Sequence, residues 1–337
     1  MMPRNLRSVA LVTAVASIGL TACSSTGSGS PGASTGSDAQ KVTVGFVELH
    51  ADTFFGQIKQ GVQQGLGPGG EIIAINYDSD AGKEAQAYAD LISRGVKAII
   101  TSPADPAGSV GGIRNAFKAG IPVICVNTCI NDADAQKYVA GFVVSDNTAL
   151  GTQTGAKAAS FIKDKLSNNA QIAMLNCDKF DVCKLRKAGF LKALDDAGVK
   201  YTVAADQTAY EPDAAVPVAS AELTAHPDVN IMWTSNDGGA IGAIKAIPAN
   251  GRKGKTFLFG TDVSAPMCEG LLSADNILQS FTGQDGLKNG TKSAEIALKA
   301  VQDIKFKASP FEQLVPVINF VRSDPSSCKK WLADNPS

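Results

Sequence analysis

The chain has 337 residues, 44% of them hydrophobic and 19% charged, with 31 lysines and arginines against 32 aspartates and glutamates, a formal net charge of −1. A balance so even, without a basic run, excludes the electrostatic footprint of a nucleic-acid binder. The histidines, His50 and His226, sit in no metal-ligand spacing, so neither a metal centre nor a cofactor is expected.

Arg4 and Arg7 precede an apolar run from Val9 to Ala22, too short to span a bilayer and of the length of a secretory leader. Leu20-Thr21-Ala22-Cys23 resembles a bacterial lipobox, in which Cys23 is acylated and becomes the mature N-terminus. The alternative is an ordinary leader with a coincidental cysteine. A signal peptide is thus expected over 1–22. Residues 23–40 are mostly Ser, Gly, Thr, Ala and Pro and carry no core-forming side chains beyond the cysteine. They read as a lipidated flexible linker reaching about 20–25 Å. The remainder is expected to be a soluble body anchored by lipid to the outer face of the cell membrane.

That body, of roughly 300 residues, is long for one core and suits two. Its pattern predicts strands at 42–47, 71–77, 96–100, 122–126, 138–144, 171–175, 200–205, 230–234 and 256–259. Helices are expected between them at 54–66, 82–94, 107–119, 148–166, 183–197, 212–225 and 238–247. Repeated βα units of this size imply an α/β fold of two doubly wound parallel-sheet lobes, with about ten strands in all. Setting Cys23 aside leaves Cys125, Cys129, Cys177, Cys183, Cys268 and Cys328, an even number that reads as disulfides in an exported protein. Neighbours in sequence are expected to pair, Cys125 with Cys129 and Cys177 with Cys183, leaving Cys268 with Cys328. The competing reading makes the first four a zinc site.

Ligands of open α/β sheets bind beyond the carboxyl ends of the strands. The segments there are rich in Asn, Asp, Ser and Thr with a few aromatics, and contain no phosphate-binding glycine loop or nucleophile elbow. Such lining suits a binding cleft better than a reaction centre.

Asp52-Thr-Phe-Phe55, Gly95-Val-Lys-Ala-Ile-Ile-Thr-Ser-Pro103, Ala119-Gly-Ile-Pro-Val123, Ser145-Asp-Asn147, Ala225-His-Pro-Asp228, Ser235-Asn-Asp237 and Phe259-Gly-Thr-Asp262 occur in that order. On these pieces the chain from Val42 to about Asn319 resembles the type I solute-binding proteins of the ribose-binding group, which serve carbohydrate ABC importers. The resemblance implies a three-segment hinge near Ser145, Gln284 and Val315. It implies an N-terminal lobe of 41–144 plus 285–315 and a C-terminal lobe of 145–284 plus 316–337, with every expected disulfide inside one lobe.

The same resemblance implies the binding residues. Phe54 and Phe55 match paired aromatics, one of which stacks on the sugar ring, and Tyr210 matches the facing aromatic. A ring suits the apolar C–H face of a sugar. The competing role for Phe54 and Phe55 is the buried face of a helix start. Asp52, Asn236, Asp262 and Gln284 match polar positions whose carboxylates and amides suit hydroxyl groups; helix capping is the competing role for Asn236 and Asp262. Ser102 falls in the same set. Asn127 and Thr128 stand where the family often carries Asp-Arg, and Lys184 aligns with a second family arginine. Loss of bidentate guanidinium contacts implies a less cationic cleft and points away from ribose, toward a small sugar alcohol or another monosaccharide.

The resemblance implies a non-enzymatic, monomeric lipoprotein that captures such a ligand by hinge closure and delivers it to ABC permease subunits. The rivals are a sensor component reporting to a membrane kinase, an exported carbohydrate-active enzyme, and a related transcription regulator. The last would need a helix-turn-helix where the leader stands.

Overall fold

The computed structural model describes residues 42–335. The expected leader 1–22, the acylation site Cys23 and the linker 23–40 lie outside the described residues.

The first lobe opens with β1 (Thr43–Glu48), α1 (Thr53–Leu66), β2 (Glu71–Asn76), α2 (Ala81–Ser93), β3 (Ala98–Thr101), α3 (Val110–Lys118), β4 (Val123–Val126), α4 (Asp132–Tyr138) and β5 (Val139–Ser145). The second lobe carries α5 (Asn147–Lys165), β6 (Asn169–Asn176), α6 (Asp181–Asp196), β7 (Lys200–Thr208), α7 (Pro212–Ala225), β8 (Ile231–Thr234), α8 (Asp237–Ala249), β9 (Phe257–Thr261), α9 (Ala265–Leu272) and β10 (Leu278–Gly283). The chain returns to the first lobe with α10 (Gly286–Gln302) and β11 (Glu312–Val315), then ends in the second with β12 (Ile318–Val321) and α11 (Ser326–Asp334).

Among the described residues the strands form two six-stranded sheets, ordered β11-β5-β4-β3-β1-β2 and β12-β10-β9-β8-β6-β7. The two orders are equivalent, and all pairings are parallel except β12 against β10. β3 and β4 are buried at every position, as strands covered by helices on both faces must be. The edge strands β2 and β7 expose alternate or successive residues. Helix α1 packs on α10 and α2 on α3, giving the first sheet its two covered faces; α5 with α6 and α7 with α8 cover the second.

This is the pair of parallel-sheet lobes expected. The patterning stopped at Phe259, so β10, β11 and β12 were not located; β11 and β12 are four-residue strands, mostly exposed, and Pro316 separates them within one apolar stretch. Helix α4 was also unforeseen. β7 extends past Ala205 because Asp206, Gln207 and Thr208 keep pairing with the end of β6.

Acidic and amide side chains begin many of the helices. Asp52, Asp80, Asp146, Asn236 and Asp285 each accept a hydrogen bond from a first-turn amide, satisfying donors that the helix itself leaves open. Among the described residues the disulfides are Cys125–Cys129, Cys177–Cys183 and Cys268–Cys328, the expected pairs, so the sulfurs of the first four are not zinc ligands. Each lies within one lobe. Within α7, Glu222 is 5% exposed and neither carboxylate oxygen has a hydrogen-bond partner. Burial, reinforced by the nearby Asp206 carboxylate, pushes its pKa from 4.5 up to about 8.

Candidate ligand-binding cleft

The chain passes between the sheets after Ser145, after Gly283 and after Val315, and these crossings flank a cavity of about 580 Å³ at the carboxyl ends of the strands. The first lobe contributes Asp52, Phe54, Phe55, Asn127 and Thr128 to its lining; the second contributes Tyr210, Asn236 and Asp262, with Gln284 at a crossing.

On the first lobe, Asp52 caps α1 through Oδ1, which accepts from the Phe55 amide at 2.9 Å, and its carboxylate lines the cleft. Burial raises its pKa, and the Phe55 amide holds it down in part. The Phe54 and Phe55 rings meet edge-on, centroids 5.6 Å apart. Phe55 is 2% exposed and belongs to the core, whereas Phe54 is only half-buried. Phe54 is therefore the ring with a face to offer.

Asn127 and Asp262 occupy equivalent places, just beyond β4 and β9, and both are left-handed, with φ of 66° and 74°. Asn and Asp are the non-glycine residues that tolerate this conformation best, which explains their presence at two tight exits into the cleft. The Cys125–Cys129 disulfide brackets the first exit.

Two expected positions fall elsewhere. Ser102 is fully buried; its hydroxyl bonds the Thr128 hydroxyl at 2.8 Å, and its carbonyl accepts from the Tyr77 hydroxyl at 2.6 Å. It supports Thr128 from behind rather than lining the cleft. Thr128 in turn donates to the Pro103 carbonyl at 2.8 Å, so its hydroxyl hydrogen is spent internally.

Lys184 is the second correction. It points outward, with 58% of its side chain exposed, and pairs with Asp181 at 2.8 Å. The cation facing the cleft from α6 is Arg186, 3% exposed. Two residues along a helix turn a side chain through roughly 200°, so Lys184 and Arg186 face opposite ways. The buried stripe Cys183, Arg186, Gly189 and Phe190 follows the helical period and was the signal available to find it. Gly189 and Gly151 let α5 and α6 pack backbone to backbone, since a Cβ on either would strike the opposing helix.

Arg186 ties together the segments leaving several strands. Its Nε donates to Asn147 Oδ1 at 2.8 Å, and its Nη1 donates to the Ser235 carbonyl at 2.9 Å and to Asp262 Oδ2 at 2.8 Å. Gln284 donates to Asp262 Oδ1 at 2.6 Å, while its own carbonyl oxygen is buried without a partner. A guanidinium does reach the cleft, contrary to the expectation drawn from Lys184.

Asn236 caps α8: its Oδ1 accepts from the Gly239 amide at 3.1 Å and its Nδ2 donates to the Tyr210 carbonyl at 2.8 Å. Both ends are engaged, so capping is its structural role. Gly238 allows the approach, because a Cβ there would collide with the Tyr210 carbonyl. Tyr210 meets Phe180 edge-on at 5.8 Å, and the Lys179 ammonium lies 4.7 Å and 4.8 Å from the two ring centroids. The pair forms an aromatic wall opposite the Phe54 side.

Sequence reasoning also missed Asp237, the first residue of α8. Burial, then repulsion from Asp262 and Asp52, pushes its pKa up to about 7, while the Gly238 amide and Arg186 oppose the shift. An acid at that place reads as an ordinary favourable helix-start charge, which concealed its position in the cleft.

Two α/β lobes joined by three crossings, with a cleft of aromatic rings and hydrogen-bonding groups between them, have the architecture of a small-ligand-binding protein. A family profile for the periplasmic binding protein domain matches residues 46–305, and the chain belongs to that family. The chain is a substrate-binding protein, not an enzyme.

Among its relatives, the ABC transporter periplasmic-binding protein YphF of Escherichia coli is 29% identical over 297 residues, covering 87% of this chain and 89% of that protein. The ribose import binding protein RbsB of Bacillus subtilis is 27% identical over 73% of this chain and 78% of its own length. Solved structures with the same fold include a myo-inositol-bound solute-binding protein of Bacillus halodurans, with a TM-score of 0.73 and 20% identity over 88% of this chain and 99% of that one. A D-allose-bound protein of Actinobacillus succinogenes has a TM-score of 0.75 and 23% identity over 85% and 100%.

Proposed function

We propose that this protein is an extracytoplasmic lipoprotein, anchored through Cys23, that captures a monosaccharide or small sugar alcohol and presents it to an ABC permease. The observation that carries the reading is the cleft itself. Phe54 and Tyr210 supply apolar ring faces from opposite lobes, and Asp52, Arg186, Asp237 and Gln284 line the same space, the Gln284 carbonyl oxygen without a partner. A ring covers the C–H face of a sugar while carboxylate and amide groups bond its hydroxyls. The names of relatives that bind ribose or allose support the ligand class.

Capture follows from the lobes' connectivity. A ligand touching both lobes binds the closed form better than the open one, and only that difference shifts the population. The Arg186–Asp262–Gln284 chain reaches from α6 through the exit of β9 to a crossing, so it is positioned to couple ligand contact to hinge angle. The membrane tether keeps the loaded protein near its permease.

The test is a thermal-shift and calorimetric screen of purified protein against pentoses, hexoses, inositols and pentitols. Binding by one of them, weakened at least tenfold in both Phe54→Ala and Tyr210→Ala, is the expected result. Binding undiminished in both variants refutes the assigned cleft; silence across the panel and its amino derivatives refutes the ligand class.

A further inference from the structure

The cleft carries more negative charge than a neutral sugar needs. Its lining holds Asp52, Asp78, Glu211, Asp237 and Asp262, against the cations Lys179 and Arg186 and the imidazole of His50. Asp262 is neutralised by Arg186 at 2.8 Å, Asp78 lies 3.7 Å from His50, and the Lys179 ammonium sits over the Phe180 and Tyr210 rings. Apart from the exposed Glu211, the lining acids with no ion-pair partner among the described residues are Asp52 and Asp237. They come from opposite lobes, Asp52 from the start of α1 and Asp237 from the start of α8. Both line the same cavity, and the charge of Asp52 adds to burial and Asp262 in pushing the Asp237 carboxyl up.

An unpaired carboxylate on each side of a hinge opposes closure unless something positive comes between. Among the described residues no three acid, histidine or cysteine side chains converge tightly enough to hold a metal ion. The space is the size of an organic ligand, at about 580 Å³. The Tyr210–Phe180 wall beside it is already taken by the Lys179 ammonium, so a cationic group of a ligand is left to the carboxylates. Arg186 and the open oxygen of Gln284 remain for hydroxyl groups.

We infer that the ligand is a polyhydroxylated compound bearing a protonated amine, an amino sugar or amino polyol, whose ammonium group bridges Asp52 and Asp237 as the lobes close. The inference rests on the reading of the cleft as a carbohydrate site and narrows it. A charge-assisted hydrogen bond to a carboxylate is roughly twice as strong as a neutral one, so a ligand donating to both acids gains more than its hydroxyl counterpart does.

The test titrates matched pairs into the purified full chain at pH 7.5: 2-amino-1,3-propanediol against glycerol, D-glucosamine against D-glucose, and glucamine against sorbitol. N-acetyl-D-glucosamine, which lacks the charge, is the control. In at least one pair the amine is expected to bind about tenfold or more tighter than its neutral match. That ratio should fall below about threefold in Asp52→Asn and in Asp237→Asn, whose amides keep the shape and, at 52, the cap. If neutral sugars or polyols bind while no amine is preferred, the amine assignment is overturned and the carbohydrate reading stands. A preference that survives both substitutions overturns the role given to these two acids. If no amine and no neutral sugar binds at all, the carbohydrate reading falls and takes this inference with it.

Discussion

Replacing Glu222 by glutamine removes a charge that the fold holds at a disadvantage, and the size of the effect follows from its surroundings. The carboxyl has a pKa of about 8 in the folded protein against an ordinary 4.5, because it is buried with both oxygens unpartnered and Asp206 nearby. Below about pH 4.5 it is protonated whether the chain is folded or not, and it costs nothing. Between 4.5 and 8 the unfolded chain releases the proton while the fold retains it, so stability falls as pH rises; above 8 the loss is complete. Linkage gives a cost of roughly 1 kcal/mol at pH 5 and roughly 4 kcal/mol at pH 7.5. Urea unfolding of wild type and Glu222→Gln at both pH values isolates this group, since every other titration cancels in the difference. The variant should gain about 3 kcal/mol on the wild type between pH 5 and pH 7.5. Parallel stability profiles would refute the reasoning and mean that Glu222 ionises freely in the fold.

Arg186→Met strands Asp262 at the cleft floor and should cost about 3–5 kcal/mol in urea unfolding while abolishing ligand binding by calorimetry. Phe55→Ala removes a core ring and should destabilise by about 3–5 kcal/mol, whereas Phe54→Ala should change the melting temperature little and weaken binding instead. Asn127→Ala forces a β-carbon into a left-handed turn and should cost about 1–2 kcal/mol; Asn127→Gly, measured by the same melts, should be nearly neutral. Binding of an amine probe should tighten as pH rises from 5.5 toward 7.5, because Asp237, with its pKa raised to about 7, must give up its proton to pair with the cation. A neutral sugar should show no such dependence.

The alternation of strands and helices was legible because a doubly covered strand must be apolar throughout, as β3 and β4 are. The short edge strands β11 and β12 were not: they are mostly exposed and lie in one apolar stretch split by Pro316, whose two halves join different sheets beside β5 and β10. The cleft positions at strand exits could be located from the rule that ligands sit at carboxyl ends, and Asp52, Phe54, Tyr210, Asp262 and Gln284 all lie there. What adjacency in sequence could not convey was facing. Lys184 and Arg186 differ by two residues and half a helical turn, and only the buried stripe of α6 separates them. Asn236 and Asp237 are neighbours with opposite fates, one spent on capping and the other open to the cleft.

The three crossings also govern the order in which the molecule can be completed. The first sheet lacks its edge strand β11, and its α1 lacks the partner helix α10, until all of α5 to β10 has been synthesised. A chain emerging from its N-terminus therefore presents a nearly finished lobe with an open strand edge and an uncovered helix face while α5 to β10 are being made. The second lobe waits in turn for β12 and α11, and for Cys328 to reach Cys268. The first lobe is complete once β11 has emerged and the second only with β12 and α11, so a truncation before α10 should leave both unfinished, whereas one just after Val315 should leave only the second incomplete.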